Sequence, residues 1–291
     1  MWGLILASIL PITFSLAMGW GLGKKYLNMQ KLVGLIGYAI WLLLIIVGIE
    51  FGDILTNPHV GFGLIGQAFV YASIVSLLTF FCLLKKTLKV TVKTSLKDIL
   101  NPIKKCVVAI AMVSIGAVLS LLIPKGYDIH SSYLLYFIIF LIGIDLSTVK
   151  ILKITWRHVY VPCIAILVLI VSAGLASLIY PQSFKVWLML GGGFGWFSLS
   201  GSLVAQLSNE EFGTVALLTD LFREFYAIIL LYLYGKKQPN AVIGVCGATA
   251  MDSTLPFIKH NCSEEEVQIA IFSGFVLTVL APFWIVLCAT L

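Results

Sequence analysis

The sequence predicts an all-α integral membrane protein. Of its 291 residues, 60% are hydrophobic and 11% are charged, which leaves too little polar surface to cover a water-soluble globule. The apolar residues form runs of about 20, the length with which an α-helix crosses the hydrocarbon core of a bilayer. The links between these runs are short and leave no room for a separate soluble domain. We therefore predict a single polytopic transport domain over residues 1–291.

Eight of the apolar runs have the composition of ordinary membrane spans. Two others, 186–206 and 241–258, are rich in residues that weaken or break a helix. We predict about eight full transmembrane helices plus two broken or re-entrant segments. Ten crossings, two of them through broken helices, is the alternative. The eight ordinary runs lie near 2–22, 32–51, 62–84, 106–123, 132–149, 159–180, 212–234 and 267–289.

Positive charges are concentrated in alternate links. Three follow the first run, seven lie between Lys85 and Lys105, and three follow the fifth run. This positive-inside distribution predicts that both termini lie outside the cytoplasm. The net charge of +6 arises from these links, so we expect the lipid bilayer as a partner and no nucleic acid.

The first broken segment carries four glycines within five residues. Each weakens a helix by about 1 kcal/mol relative to alanine, so a continuous helix is not expected there. Ser198 and Ser200 follow the glycines, and their hydroxyls are able to coordinate sodium or the polar head of an amino acid. Small-residue helix packing is the competing interpretation. The four glycines are Gly191, Gly192, Gly193 and Gly195.

The second broken segment contains one carboxylate, Asp252, in an apolar setting. Thr249 and Ser253 flank it, and Gly247 and Pro256 are expected to break the helix. A charged side chain at bilayer depth costs roughly 2.5–3.5 kcal/mol on the insertion scale. An acid beside a broken helix therefore predicts a binding site for a cation or a proton.

A third group of charges lies between the broken segments. Asp220, Arg223 and Glu224 are spaced so that they share one face of a helix, and we expect Arg223 to pair with Asp220 as its structural charge partner. Asp220 would then keep its charge, and Asp252 would be the residue that changes protonation. One arginine against two acids leaves a negative site, which favours cation handling. A neutralised cluster that only fixes helix packing is the alternative.

The first half of the chain contains a short internal echo. Val47-Gly-Ile-Glu-Phe-Gly-Asp53 resembles Ile142-Gly-Ile-Asp-Leu-Ser147, three spans later. This spacing predicts two parallel three-span units, 2–84 and 106–180, followed by a motif-rich region at 185–291. Glu50 and Asp145 would then occupy equivalent places, with Asp53 nearby. The alternative interpretation is that these acids simply lie at span ends, where water lowers the free-energy cost of their charge.

Three stretches of the last third resemble a known family in the same order and spacing. They are Gly193-Phe-Gly-Trp-Phe-Ser-Leu-Ser-Gly201, Asp220-Leu-Phe-Arg-Glu-Phe-Tyr-Ala-Ile228 and Gly244-Val-Cys-Gly-Ala-Thr-Ala-Met-Asp-Ser-Thr-Leu-Pro256. Together they resemble the signature stretches of the bacterial lysine exporters of the LysO type. The resemblance implies a multi-pass inner-membrane protein that exports L-lysine and the toxic analogue thialysine. It also implies that Asp252 and an acid near Glu50 or Asp53 are required for transport.

These observations together predict a secondary transporter and not an enzyme, since no nucleophile, metalloprotease or phosphate-binding motif is found. We expect antiport of L-lysine with protons or sodium and no cofactor. No resident metal is expected, although sodium remains open as the coupling ion. Export of another basic amino acid or a polyamine, or cation/proton antiport, is the alternative. A homo-oligomer is compatible with the sequence.

Overall fold

The computed structural model describes residues 2–26, 30–52, 58–85, 96–122, 131–147, 154–251 and 253–290. Within these ranges the backbone forms helices and turns, and no β-strand is present. Two of the predicted site residues, Asp53 and Asp252, lie outside the described residues.

The described residues form thirteen α-helices and one short 3-10 helix, Gly247–Met251. In chain order the α-helices are α1 Trp2–Lys25, α2 Gln30–Val33, α3 Ile36–Glu50, α4 Pro58–Cys82, α5 Leu96–Ser120, α6 Ser132–Leu146, α7 Trp156–Ile179, α8 Phe184–Leu190, α9 Phe197–Leu207, α10 Glu210–Tyr234, α11 Pro239–Cys246, α12 Leu255–Asn261 and α13 Glu264–Thr290.

Four helical stretches of the described chain are long and apolar enough to cross a membrane. They confirm the predicted class, an all-α membrane protein. The aromatic and aliphatic side chains that remain exposed on α3, α4 and α7, among them Trp41, Phe62 and Leu178, are the residues that a bilayer would cover. The four stretches are Lys31–Glu50, Gly61–Cys82, Trp156–Ile179 and Glu264–Thr290.

Helix α10 lies at the centre of the last third of the chain. Its start is fixed by Asn209, whose side chain accepts the backbone N–H of Phe212 at 2.8 Å, and by two acids in the first turn, which favour the positive end of the helix dipole. The helix packs against α4, α9 and α11. Its middle is therefore buried, and the charges of Asp220, Arg223 and Glu224 lie inside the bundle.

Two helix pairs in the first half pack through small residues. Helix α1 meets α6 where Gly19 faces Gly143 and Gly23 faces Ser147. Helix α3 meets α5 through Gly48 and Gly116, and through Gly52 and Ser120. Both pairs thus use the same spacing of small residues, four positions apart, which lets two backbones approach closely.

The α1–α6 contact and the α3–α5 contact are equivalent to each other within the repeat. The echo in the sequence aligns α3 with α6, which makes α1 the counterpart of α5, and the structure pairs α1 with α6 and α3 with α5. The first helix of each three-helix unit therefore packs on the second helix of the other unit. This exchange is what a pseudo-two-fold axis produces.

The two units run in opposite directions, so the predicted parallel arrangement is wrong. Glu50, at the end of α3, accepts the backbone N–H of Ser131, at the start of α6, at 2.6 Å. The end of one helix therefore lies beside the start of its equivalent, as in an antiparallel pair. The physical reason is that three alternating helices reverse the chain, so a second three-helix unit begins from the opposite side.

Gly48→Ala is expected to separate α3 from α5. The added methyl group would contact the backbone oxygen of Val113 and lie 3.0 Å from the Cα atom of Gly116. Overpacking of this kind costs about 1–3 kcal/mol, so the thermal unfolding midpoint of the purified protein should fall. Gly37→Ala in the same helix is the control, because nothing lies within 4 Å of its added methyl group. Equal midpoints for the two variants would contradict the close contact.

Candidate functional site

Two helices of the last third are interrupted. Helix α8 ends at Leu190 and α9 begins at Phe197, and the four predicted glycines lie in the gap. Helix α11 ends at Cys246 and is followed by the 3-10 helix, and α12 begins at Leu255. Pro256 lies in the first turn of α12 and not in the break. Proline is tolerated at this position because its missing N–H would have no partner inside the helix.

The two breaks touch each other. The backbone N–H of Ala248 donates to the carbonyl oxygen of Phe194 at 2.9 Å. Gly247 has φ +62° and ψ −128°, and a Cβ atom there would contact the same Phe194 oxygen. Phe194 itself has φ +51° and Gly195 has φ +98°. The contact therefore needs glycine at position 247 and an unusual backbone at position 194.

The last backbone carbonyl groups of α8 accept hydrogen bonds from side chains of two other helices. The hydroxyl of Tyr71, on α4, donates to the carbonyl oxygen of Trp187 at 2.6 Å. The indole N–H of Trp284, on α13, donates to the carbonyl oxygen of Leu188 at 3.2 Å. A helix that ends in an apolar interior needs such donors, because no water is present to bind its last carbonyls.

The last backbone carbonyl groups of α11 accept hydrogen bonds from Arg223. Its Nε atom donates to the carbonyl oxygen of Val245 at 3.0 Å, and its Nη2 atom donates to the carbonyl oxygen of Gly244 at 3.2 Å. The positive guanidinium thus lies at the negative end of a short helix. The predicted contact with Asp220 is not formed. The structure describes both side chains, and no Arg223 nitrogen lies within 4.0 Å of an Asp220 oxygen.

Asp220 contacts the other break. Its Oδ1 atom accepts the backbone N–H of Gly195 at 2.8 Å, and the side chain is 1% exposed. The second oxygen, Oδ2, is buried and has no hydrogen-bond partner among the described residues. Gly193 packs so closely that a Cβ atom there would contact Oδ2.

Glu224 lies one helical turn after Asp220 and contacts the second break. Its Oε1 atom accepts the hydroxyl of Ser253 at 2.7 Å, and the residue is 8% exposed. Ser253 is the chain neighbour of Asp252. A single helix, α10, therefore carries one carboxylate to each break, with Arg223 between them.

The predicted hydroxyl residues mostly stabilise the breaks. Thr249 donates to the carbonyl oxygen of Cys246 at 2.8 Å, and Ser198 accepts the indole N–H of Trp196 at 2.9 Å. Ser200 makes longer contacts, 3.4 Å to the carbonyl oxygens of Phe197 and Ala216.

The two acids of the first half lie at helix ends. Glu50 is the last residue of α3 and binds the start of α6, as described above. Asp145 is half-buried one residue before the end of α6. The structure thus gathers Asp220, Arg223, Glu224, Ser253 and Thr249 at the two breaks, and it places Glu50 and Asp145 at the ends of α3 and α6.

Three residues of the site are not evident from the sequence. Tyr71 and Trp284 cap the end of α8 from 116 and 96 residues away, and Phe194 forms the contact between the breaks. The only local signal is for Phe194, which stands between the glycines at 193 and 195.

This combination of fold and site defines a class of protein. Inverted helical units, two broken helices that meet at their breaks, and buried charges beside unwound backbone are the features with which secondary transporters build a site within the bilayer. The chain is a membrane protein of that architectural class.

Comparison with known proteins gives the family. The family model described as Lysine exporter LysO matches residues 104–289, more than half of the chain. The protein belongs to the lysine exporter LysO family. The matched region includes both broken helices and α10.

Two curated relatives support this assignment. The chain is 32% identical over 159 residues to the lysine exporter LysO of Escherichia coli strain K12, covering 53% of each chain. It is 28% identical over 167 residues to a Haemophilus influenzae protein named "Putative lysine exporter", covering 56% of this chain and 84% of that one. The chain thus spans about half the length of the first relative. No solved structure matches the chain.

Proposed function

We propose that this protein exports L-lysine from the cytoplasm across the bacterial inner membrane. The observation that carries the proposal is the pair of buried carboxylates on α10, one at each helix break, in a chain of the LysO family. The proposal is supported by the chemistry of lysine. Its side chain is an ammonium ion, which a desolvated carboxylate binds strongly, and its head group carries both charges.

The ammonium group is assigned to Glu224 together with Asp252. Glu224 is nearly buried but has one oxygen turned to Ser253 beside the second break. Asp252 follows the 3-10 helix in sequence and supplies a second acid to the same stretch. The carboxylate of the substrate is assigned to the backbone N–H groups and hydroxyls at the start of α9, where Ser198 and Ser200 lie.

The arrangement in the membrane follows from the charge pattern and the helices. We propose eight full spans and two broken segments, with both termini outside. The eight spans would be α1, α2 with α3, α4, α5, α6, α7, α10 and α13. Export against a gradient needs a driving ion, and antiport with protons or sodium provides it. Toxic lysine analogues such as thialysine would leave by the same route.

Transport in proteoliposomes tests the function. Vesicles containing the purified protein should exchange labelled lysine for internal lysine and accumulate it when a proton or sodium gradient is imposed. Unlabelled arginine, ornithine, putrescine and sodium are the competitors that separate lysine export from export of another basic amino acid, from polyamine export and from cation/proton antiport. Absence of lysine exchange, with exchange of one of the others, would overturn the proposal.

A further inference from the structure

We propose that Asp220 is the proton-binding residue that couples the export of lysine to the proton gradient, at a position distinct from the substrate carboxylates. The inference rests on the proposed function. It assigns to Asp220 a role that differs from the persistent charge predicted from the sequence, and it deepens the proposal by naming the coupling ion.

The two carboxylate oxygens of Asp220 have different surroundings. Oδ1 accepts the N–H of Gly195 at 2.8 Å, whereas Oδ2 is buried and makes no hydrogen bond of normal geometry with the described residues. The Ser200 hydroxyl lies close enough to interact with this carboxylate. A buried polar atom with no partner is costly and calls for a ligand or a proton. Protonation of Oδ2 removes the charge while the bond from Gly195 to Oδ1 is kept.

Little space is left beside the Oδ2 atom of Asp220. The backbone of Gly193 fills it so closely that even a methyl group would collide with the oxygen. The Cβ and Oγ atoms of Ser200 lie on the same side, within 2.7 and 3.1 Å of that methyl position. A sodium ion needs several oxygen ligands around it, and a proton needs none. The proton is the cation that this position accepts without rearrangement.

The charge of Asp220 is balanced by the groups around it. Arg223 is the cation near Asp220 on its own helix, and the hydroxyl of Tyr71, on α4, lies close enough to interact with both charges while it donates to the Trp187 carbonyl. Arg223 is 1% exposed and bonded to backbone oxygens, so its charge is fixed. When Asp220 is ionised, its negative charge neutralises the positive charge of Arg223 beside the contact between the two breaks. When Asp220 is protonated, the charge of Arg223 is uncompensated.

Coupling follows from this charge balance. Glu224 lies one turn from Asp220 and next to Arg223 on α10, and charges at such distances interact strongly in a dry interior. When Asp220 is ionised, the cluster is net negative and binds the lysine ammonium. When Asp220 binds a proton, the uncompensated guanidinium disfavours the ammonium. Lysine and the proton therefore bind alternately, and each proton that enters the cell accompanies a lysine that leaves.

Asp220→Asn in proteoliposomes tests the inference. Asparagine still accepts the Gly195 N–H and resembles the protonated acid. Because the variant stays in the state that disfavours the lysine ammonium, we expect its lysine/lysine exchange to be at least tenfold slower than that of the wild type at neutral pH and independent of pH, whereas wild-type exchange should slow as the pH falls. Lysine accumulation driven by a pH gradient, with the vesicle lumen acidic, should fall at least tenfold. Glu211→Gln, at the exposed start of the same helix, should keep both activities.

Other outcomes overturn the inference. Wild-type exchange that does not change with pH, or residual exchange in a folded Asp220→Asn protein that keeps the wild-type pH dependence, would assign Asp220 a structural role, and retention of both activities would remove it from coupling. A pH-sensitive dye inside wild-type vesicles provides a measurement that is independent of the variant. Lysine flux without proton flux, or flux driven only by sodium, contradicts proton coupling and leaves lysine export intact. Absence of lysine exchange in the wild type would instead contradict the proposed function.

Discussion

Glu224→Gln is expected to abolish lysine export while the protein remains folded. Glutamine has the same shape and still accepts the Ser253 hydroxyl, but it does not neutralise an ammonium ion. Removing one partner of a buried charged pair costs about 2–5 kcal/mol, and about 1.4 kcal/mol corresponds to a tenfold change. Efflux of labelled lysine from loaded vesicles should therefore fall by at least about 30-fold.

The matched control for this variant is Glu211→Gln, which makes the same chemical change in the first turn of the same helix, on an exposed residue. It should transport at the wild-type rate. Normal export by Glu224→Gln, or equal loss in both variants, would remove Glu224 from the substrate site.

Local patterns in the sequence were sufficient to predict the helices and the two interruptions. Apolar runs of about 20 residues and the glycines at 191–195 depend only on nearby residues. The same holds for the placement of Asp220, Arg223 and Glu224 on one helix, since their spacing is fixed by the helical period.

The partners of these charges depend on tertiary structure and were not predictable in the same way. Arg223 binds backbone oxygens 21 and 22 residues further along the chain, and it reaches them only because the two breaks cross beside α10. The spacing of the charges on one helix predicts Asp220 as the partner of Arg223 instead. The direction of the repeat was likewise missed, because a short echo such as that around Glu50 and Asp145 does not distinguish parallel from inverted units.

Arg223→Met is expected to destabilise the protein severely. Methionine fills a similar length but donates no hydrogen bonds, so the carbonyl oxygens of Gly244 and Val245 lose their partner and Asp220 loses its neighbouring positive charge. Each buried, unsatisfied group costs about 1–3 kcal/mol, and an uncompensated buried charge costs about 3–5 kcal/mol. The thermal unfolding midpoint in detergent should fall sharply, with loss of the monodisperse peak on size exclusion.

The chain provides its own comparison, because it contains one other arginine. Arg157 lies at the surface and pairs with Glu265 at 3.3 Å, with about half of its side chain exposed. Exposed ion pairs contribute roughly 0–1 kcal/mol, so Arg157→Met should leave the midpoint nearly unchanged. Similar midpoints for Arg223→Met and Arg157→Met would contradict the capping role of Arg223.

Equilibrium binding of labelled lysine to the purified protein tests the central claim most directly, because it isolates recognition of the ammonium ion from coupling and membrane orientation. Wild type and Glu211→Gln should bind lysine saturably, and norleucine, which lacks the side-chain ammonium group, should not compete. Glu224→Gln should show no saturable binding. Wild-type affinity in Glu224→Gln, or competition by norleucine as strong as by lysine, would contradict capture of the cation by a buried carboxylate at the crossing of the two helix breaks.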